Sequence, residues 1–126
     1  MVGIVIVSHS KKLAEGVVDL ATLMAPDAPI VAAGGLEDGT FGTSFEKIYN
    51  AIDEIYTDDG VIILMDMGSA VMTTEMVLEA MEDRKIKMLD VPLVEAAVAA
   101  AVIADGGAGF DDVIAAAETS KVNQKF

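Results

Sequence analysis

The feature that most constrains the fold is an uncharged run at residues 3–7 (GIVIV), which ends at the polar triplet SHS of residues 8–10. Apolar, β-branched residues without polar alternation are typical of a strand that is buried on both faces, and we predict this strand over residues 2–8. A pattern with helical spacing begins directly after the triplet. A strand of this kind followed by a helix indicates an α/β protein with a parallel sheet.

The rest of the chain alternates between strand and helix patterns. The first helix is predicted to face inward through Leu13, Val17, Leu20, Ala21 and Met24, and to end near two prolines. Further strands are predicted at residues 30–33, 61–65 and 86–89. Helices are predicted from the capping-box sequence at 43–46, over 69–82 and 92–104, and at 110–117, and the tail 119–126 is left unassigned. This order predicts one α/β domain over residues 1–126, with a mostly parallel, doubly wound, four-stranded sheet and helices on both faces.

Charge and composition exclude several classes of partner and chemistry. The net charge is −13, from 21 acidic and 8 basic residues, so nucleic acid and membrane insertion are not expected. The absence of cysteine excludes disulfides and zinc–thiolate sites, and it suits the cytoplasm. The start of the chain lacks the pattern of a signal peptide, and the apolar stretch 91–104 is shorter than the roughly 20 residues that a membrane span needs.

Two strands end in residues that can do chemistry together. His9, the only histidine, follows the first predicted strand, and Asp66 follows the third. The simplest doubly wound arrangement places these strands side by side, with their carboxyl ends at one crevice. A carboxylate on one ring nitrogen fixes the tautomer and leaves the other nitrogen free to act as a nucleophile.

Residues near this pair suit an anion. Gly68 and Ser69 begin the next predicted helix and would offer backbone N–H groups and a hydroxyl, as phosphate sites often do. The glycine-rich loop 34–43 leaves the second strand at the same edge and could lie over the site. Six methionines at 65, 67, 72, 76, 81 and 88 are interpreted as core filling rather than ligands.

The same residues allow other interpretations. A lone histidine at a strand end is more often structural, and Asp66 could simply end a strand or cap a helix. One histidine without cysteine makes a poor transition-metal site, so no metal is expected. Neither GxxxxGK[ST] nor GxGxxG occurs, which gives direct ATP or dinucleotide binding no support.

The residues also resemble a known family. The segments VIVSHS, GTS, MDMGSA and PLVE (residues 5–10, 42–44, 65–70 and 92–95) occur in the order found in the phosphotransfer subunits of bacterial dihydroxyacetone kinases. Those subunits are similar to the mannose-type EIIA domains of the phosphoenolpyruvate-dependent phosphotransferase system. The resemblance covers nearly the whole chain and implies the mannose EIIA-like fold, usually as a homodimer.

The resemblance implies a carrier. His9 would accept a phosphoryl group from phospho-HPr, most often on Nε2, while Asp66 holds the other ring nitrogen. Contacts to the phosphoryl group are expected from Ser10, Thr43, Gly68 and Ser69. The group would pass to ADP on the ADP-binding subunit of the kinase, and the ATP formed would phosphorylate dihydroxyacetone held by a third subunit. No cofactor would be bound by this chain itself.

Two alternatives stay open at this point. The chain could be a sugar-transport EIIA domain that donates to an EIIB partner, although MDMGSA favours the kinase subunit. It could also be a non-catalytic α/β interaction module in which His9 is structural.

Overall fold

The computed structural model describes all 126 residues and contains one four-stranded sheet. Its strands lie in the order β2-β1-β3-β4, and all three neighbouring pairs are parallel, which confirms the predicted fold class. The elements in chain order are β1 (Gly3–Ser8), α1 (Lys11–Met24), β2 (Ile30–Gly34), α2 (Phe45–Ile55), β3 (Val61–Met65), a 3-10 turn (Gly68–Ala70) leading into α3 (Val71–Glu79), β4 (Ile86–Leu89), α4 (Leu93–Asp105) and α5 (Phe110–Thr119).

The sheet is covered on both faces, which explains the uncharged first strand. Ile4 and Ile6 of β1 belong to the core beneath α1, α4 and α5, whereas Val5 and Val7 belong to the core beneath α2 and α3. All four side chains are fully buried. Because successive side chains of a strand point to opposite faces, a central strand between two helical layers has no position for a charge.

The predicted inward face of α1 is confirmed for Val17 and Ala21 and wrong for its three largest residues. Leu13, Leu20 and Met24 are exposed, and the buried residues of the helix are Ala14, Val17 and Ala21. The helix packs closely on β2 and on α4, whose own buried residues are all alanines: Ala96, Ala97, Ala100, Ala101 and Ala104. Small side chains permit this close approach, so the larger leucines lie outside the contact.

Helix starts also differ from the sequence prediction. Ser44, not Thr43, caps α2, because its hydroxyl accepts a hydrogen bond from the Lys47 N–H at 3.2 Å. The predicted helix 69–82 divides into the 3-10 turn and a shorter α3. Pro92 is the N-cap of α4 rather than its first residue.

The structure also shows where the methionines and Glu95 lie. Of the methionines interpreted as core filling, Met67, Met72 and Met76 are exposed, and only Met81 is fully enclosed. Glu95, an acid in an apolar helix, pairs with Lys125 of the tail at 3.0 Å.

None of the helices combines the length and the apolar character that a membrane crossing would require.

A glycine at the end of β2 allows α1 to start close to the sheet. A Cβ on Gly34 would lie 2.6 Å from the Ser10 carbonyl oxygen and 2.7 Å from the Ala14 Cβ. Neither neighbour is the flexible end of a side chain. Gly34 therefore sets the distance between β2 and the N-terminus of α1, next to His9.

Gly34→Ala is expected to destabilise the fold by about 1–3 kcal/mol, the usual cost of overpacking. The measurement is the free energy of unfolding from denaturant titration. Gly16→Ala is the matched control, because no atom lies within 4 Å of the added Cβ, and it should stabilise α1 by about 1 kcal/mol. Equal effects of the two substitutions would contradict the role given to Gly34.

Candidate active site

Strand pairing brings the two predicted site residues together. In the register of β1 with β3, Val7 lies opposite Met65, so the next residues along each strand reach the same edge of the sheet. The Asp66 N–H donates to the Val7 carbonyl at 3.1 Å, which continues the ladder past the end of β3. His9 and Asp66 thus project from adjacent strand ends, where α/β proteins commonly place their sites.

The Asp66 carboxylate holds one side of the His9 ring. Nδ1 of His9 lies 3.1 Å from Oδ1 and 3.3 Å from Oδ2 of Asp66, and the His9 backbone N–H donates to Oδ2 at 3.0 Å. The side chains are 23% and 10% exposed, respectively. A carboxylate can only accept here, so the arrangement favours the tautomer with the proton on Nδ1 and leaves the Nε2 lone pair free.

Two more donors fix the Asp66 carboxylate. The Ser8 hydroxyl donates to Oδ2 at 2.9 Å, and the Met67 N–H donates to Oδ1 at 2.8 Å. Burial by itself raises the pKa of Asp66, but hydrogen bonds from the His9 N–H, the Ser8 hydroxyl and the His9 ring outweigh it. The pKa of Asp66 therefore lies below its ordinary value of 3.8, and the group is ionised at neutral pH.

This lowered pKa predicts a loss of stability in acid. A carboxylate whose pKa is lower in the folded than in the unfolded state stabilises the fold above the unfolded value, near 3.8. That contribution disappears as the pH falls through the folded pKa. We expect Asp66→Asn to have a lower free energy of unfolding than the unchanged protein at pH 7, and this difference to shrink below pH 3.8. Denaturant titrations across this pH range measure the difference. A difference independent of pH would contradict the lowered pKa of Asp66.

The other ring nitrogen faces a hydroxyl and the start of a helix. Nε2 of His9 lies 2.9 Å from the Ser69 Oγ. Gly68 and Ser69 open the 3-10 turn, and their N–H groups have no acceptor within the protein. Unpaired N–H groups at the start of a helix attract anions, so this side of the ring suits a phosphoryl group.

The remaining predicted contacts have structural partners. The Ser10 hydroxyl caps α1 by accepting from the Leu13 N–H at 3.2 Å, and it keeps its own proton to donate. The Thr43 hydroxyl bonds the Thr73 hydroxyl at 3.0 Å and so joins the glycine-rich loop to α3. The Gly42 N–H donates to the His9 carbonyl at 2.9 Å, which holds the end of this loop beside the site. Their contact with a phosphoryl group stays a prediction.

The sequence pattern gave no role to Ser8 or Thr73. Ser8 is the last residue of β1 and is fully buried, yet it is polar in a strand that otherwise consists of glycine, valine and isoleucine. That contrast was a usable signal. The sequence did not decide which face of α3 carries Thr73, so its hydrogen bond to the loop is visible only in the tertiary structure.

The surface around the site includes exposed apolar side chains. Phe41, Met67 and Met72 are 81%, 55% and 74% exposed. A cleft of about 330 Å³ adjoins Asp66, and Met88 is among the residues that line it. No lysine or arginine side chain forms a hydrogen bond or an ion pair with His9, Asp66 or Ser69.

Comparison with known proteins agrees with this geometry. The model of the mannose-type EIIA family, described as the fructose IIA component of the phosphotransferase system, matches residues 3–114. An EIIA component of the phosphotransferase system from Streptococcus agalactiae superposes with a TM-score of 0.70 at 21% identity, covering 96% of this chain and 92% of that one. At this identity the likeness is one of fold alone.

Curated relatives are more similar in sequence. The phosphotransferase subunit DhaM of the PTS-dependent dihydroxyacetone kinase of Lactococcus lactis is 40% identical over 111 residues, which are 88% of this chain and 89% of that protein. The DhaM phosphoryl donor subunit of Escherichia coli is 41% identical over 121 residues, but the match spans only 26% of its length. The chain therefore belongs to the mannose-type EIIA family, within the group of DhaM phosphotransfer subunits.

Proposed function

We propose that this chain carries a phosphoryl group on Nε2 of His9, between phospho-HPr and ADP bound to the nucleotide-binding subunit of dihydroxyacetone kinase. The observation that supports it most is the unequal treatment of the two ring nitrogens. Nδ1 is held by a partly buried, ionised carboxylate at 3.1 Å, while Nε2 meets only the Ser69 hydroxyl at a partly exposed edge. The DhaM relatives, which are named as phosphotransferase or phosphoryl donor subunits, point to the same role.

In the first transfer, the Nε2 lone pair attacks the phosphorus of the donor's phosphohistidine. The new N–P bond forms as the donor's N–P bond breaks, and the electron pair of the broken bond returns to the donor's ring. The proton on Nδ1 of His9 stays in place, because Asp66 accepts its hydrogen bond and balances the positive charge that the ring gains. No proton has to leave for the carrier to become phosphorylated.

In the second transfer, a terminal phosphate oxygen of ADP attacks the same phosphorus. The Nε2–P bond breaks, its electron pair returns to the His9 ring, and ATP forms on the partner subunit. The ring leaves as a neutral imidazole because Nδ1 has kept its proton throughout. The unpaired N–H groups of Gly68 and Ser69 would hold the phosphoryl oxygens between the two steps.

The composition of the surface suits exchange with two partners in turn. Phosphoryl transfer depends mainly on positioning and on stabilising charge, and no lysine or arginine of this chain bonds His9, Asp66 or Ser69. Each partner would therefore bring arginine or lysine to the site. The exposed Met67 and Met72 have flexible, polarisable side chains that can adapt to different partner surfaces.

The test is a phosphorylation assay with phosphoenolpyruvate, enzyme I and HPr. The expected result is an acid-labile mass increase of one phosphoryl group on His9. No label would favour the non-catalytic interaction module. The ADP-binding and dihydroxyacetone-binding subunits are then added together with dihydroxyacetone, and loss of the label with formation of dihydroxyacetone phosphate is expected. Loss of the label only to an EIIB protein would instead identify a sugar-transport EIIA domain.

The family also suggests a homodimer, which we propose for this chain. Helix α1 leaves Leu20, Leu23 and Met24 exposed on one helical face, and contiguous exposed apolar residues often mark an interface. Sedimentation equilibrium would measure the mass in solution, and a mass of 13.1 kDa at all concentrations would contradict the proposal.

A further inference from the structure

Ser8 occupies a position where a hydroxyl is costly unless it has partners. It is the last residue of β1 and is 0% exposed, in a strand whose other buried side chains are apolar. A buried hydroxyl without hydrogen bonds destabilises a protein by about 1–3 kcal/mol. Valine or alanine at this position would avoid that cost, so the contacts of the hydroxyl deserve a functional explanation.

Both hydrogen bonds of the Ser8 hydroxyl lie within the site. It donates to Oδ2 of Asp66 at 2.9 Å and accepts from the Ser10 N–H at 3.0 Å. The start of α1 is capped independently by the Ser10 side chain, so helix formation does not depend on Ser8. The hydroxyl therefore connects the Ser10 N–H to the Asp66 carboxylate through two consecutive hydrogen bonds. Consecutive hydrogen bonds polarise and strengthen each other.

The Asp66 carboxylate is held in one plane by this arrangement. Oδ2 accepts from the Ser8 hydroxyl and the His9 N–H, and Oδ1 accepts from the Met67 N–H, while both oxygens lie within 3.3 Å of Nδ1. Ser8 is the only donor among these that is a side chain other than the histidine itself. Its removal would leave Oδ2 with the His9 N–H and the longer contact to Nδ1, so the carboxylate would be held less firmly.

We propose that Ser8 is a positioning residue for phosphoryl transfer, which acts through Asp66 to keep the proton of the His9 ring on Nδ1. This role rests on the proposed carrier function. Ser8 touches neither the ring nor the phosphoryl group. By fixing Asp66, it maintains both the free Nε2 lone pair before transfer and the protonated Nδ1 that makes the ring a good leaving group afterwards.

The experiment compares Ser8→Ala and Ser8→Cys with the unchanged chain. Ser8→Cys keeps the approximate size and donates only weakly, so it separates the hydrogen bond from packing. We expect the rate of phosphoryl transfer from phospho-HPr to fall about 10-fold in Ser8→Ala, in line with one hydrogen bond to a charged group, and less in Ser8→Cys. Ser120→Ala removes a buried hydroxyl at the far end of α5 and should leave the rate unchanged.

A second readout reports on positioning without any partner. Nitrogen-15 NMR of the His9 ring measures the share of each tautomer, and carbon NMR measures the pKa of the Asp66 carboxyl. In Ser8→Ala the share with the proton on Nδ1 should fall and the pKa of Asp66 should rise, whereas Ser120→Ala should change neither.

The outcomes distinguish this proposal from the carrier function. Unchanged tautomers and an unchanged Asp66 pKa in both Ser8 variants would overturn the role of Ser8, even if His9 carries phosphate. Altered tautomers in a protein that phospho-HPr never labels would uphold the positioning and overturn the carrier function. If Ser8→Ala does not fold, the test rests on Ser8→Cys. The same share of tautomers and the same Asp66 pKa in Ser8→Cys as in the unchanged protein would contradict the proposal.

Discussion

Phosphorylation by phosphoenolpyruvate, enzyme I and HPr is expected to be abolished in His9→Ala. His9 is the only histidine, and Nε2 is the one ring nitrogen that no carboxylate holds. With His9 removed, no other imidazole is left in the chain to accept the phosphoryl group. The measurement is the mass of the intact protein, before and after brief acid treatment, together with the rate of dihydroxyacetone phosphate formation in the full system.

The expected loss is distinguishable from unfolding. His9 is partly exposed and lies at a strand end, so alanine there should leave the circular dichroism spectrum and the cooperative unfolding transition in place. An acid-labile label that persists in a folded His9→Ala protein would contradict the carrier proposal entirely. A label that is sensitive to hydroxylamine would instead indicate an acyl phosphate on a carboxylate such as Asp66.

Asp66→Asn is expected to slow phosphoryl acceptance by about 100-fold or more, the scale of a misplaced proton in histidine-dependent transfer. The amide can present its NH₂ group to Nδ1, which would move the ring proton to Nε2 and block the lone pair that attacks phosphorus. It also removes the negative charge that balances the phosphorylated ring. Rapid-quench measurement of the first transfer, with phospho-HPr in excess, gives the rate directly.

Asp90→Asn is the matched control for this substitution. Asp90 directly follows β4 as Asp66 directly follows β3, but it makes no hydrogen bond to His9. The same change of charge one strand further along should alter the rate far less. If the two variants are slowed equally, the effect belongs to the net charge of this surface and not to the bond between Asp66 and Nδ1.

The positions of the strands followed from local patterns in the chain, and the adjacency of β1 and β3 from the simplest doubly wound arrangement. The uncharged runs at β1 and β3 predicted two central strands, and adjacent central strands predicted that His9 and Asp66 would meet. This inference succeeded because burial on both faces excludes charge from every position, which is a strong and local signal. The start of α2 was predicted within one residue for a similar reason, since Thr43 and Ser44 are both good caps and only their contacts distinguish them.

The sequence predicted less well which face of each helix is buried. Leu13 and Leu20 are among the larger apolar residues of α1, and helical spacing predicts that they face inward. The structure buries Val17 and Ala21 as predicted, but it places Ala14 inside and both leucines outside, because α1 lies close to β2 and to the alanine face of α4. Similarly, Met67 and Met72 are as apolar as core residues, and their exposure depends on which partners the neighbouring elements leave them.

The sequence by itself determined the parallel sheet, the two strand ends and the identity of the single candidate nucleophile, because each depends on residue type and on short-range alternation. Only the tertiary structure decided how the site is held. The link from Ser8 to Asp66, the contact of Ser69 with Nε2 and the bond between Thr43 and Thr73 join residues that are 58, 60 and 30 positions apart. Hydrogen bonds require distances within a few tenths of an ångström, and such distances are fixed by the packing of whole elements against one another.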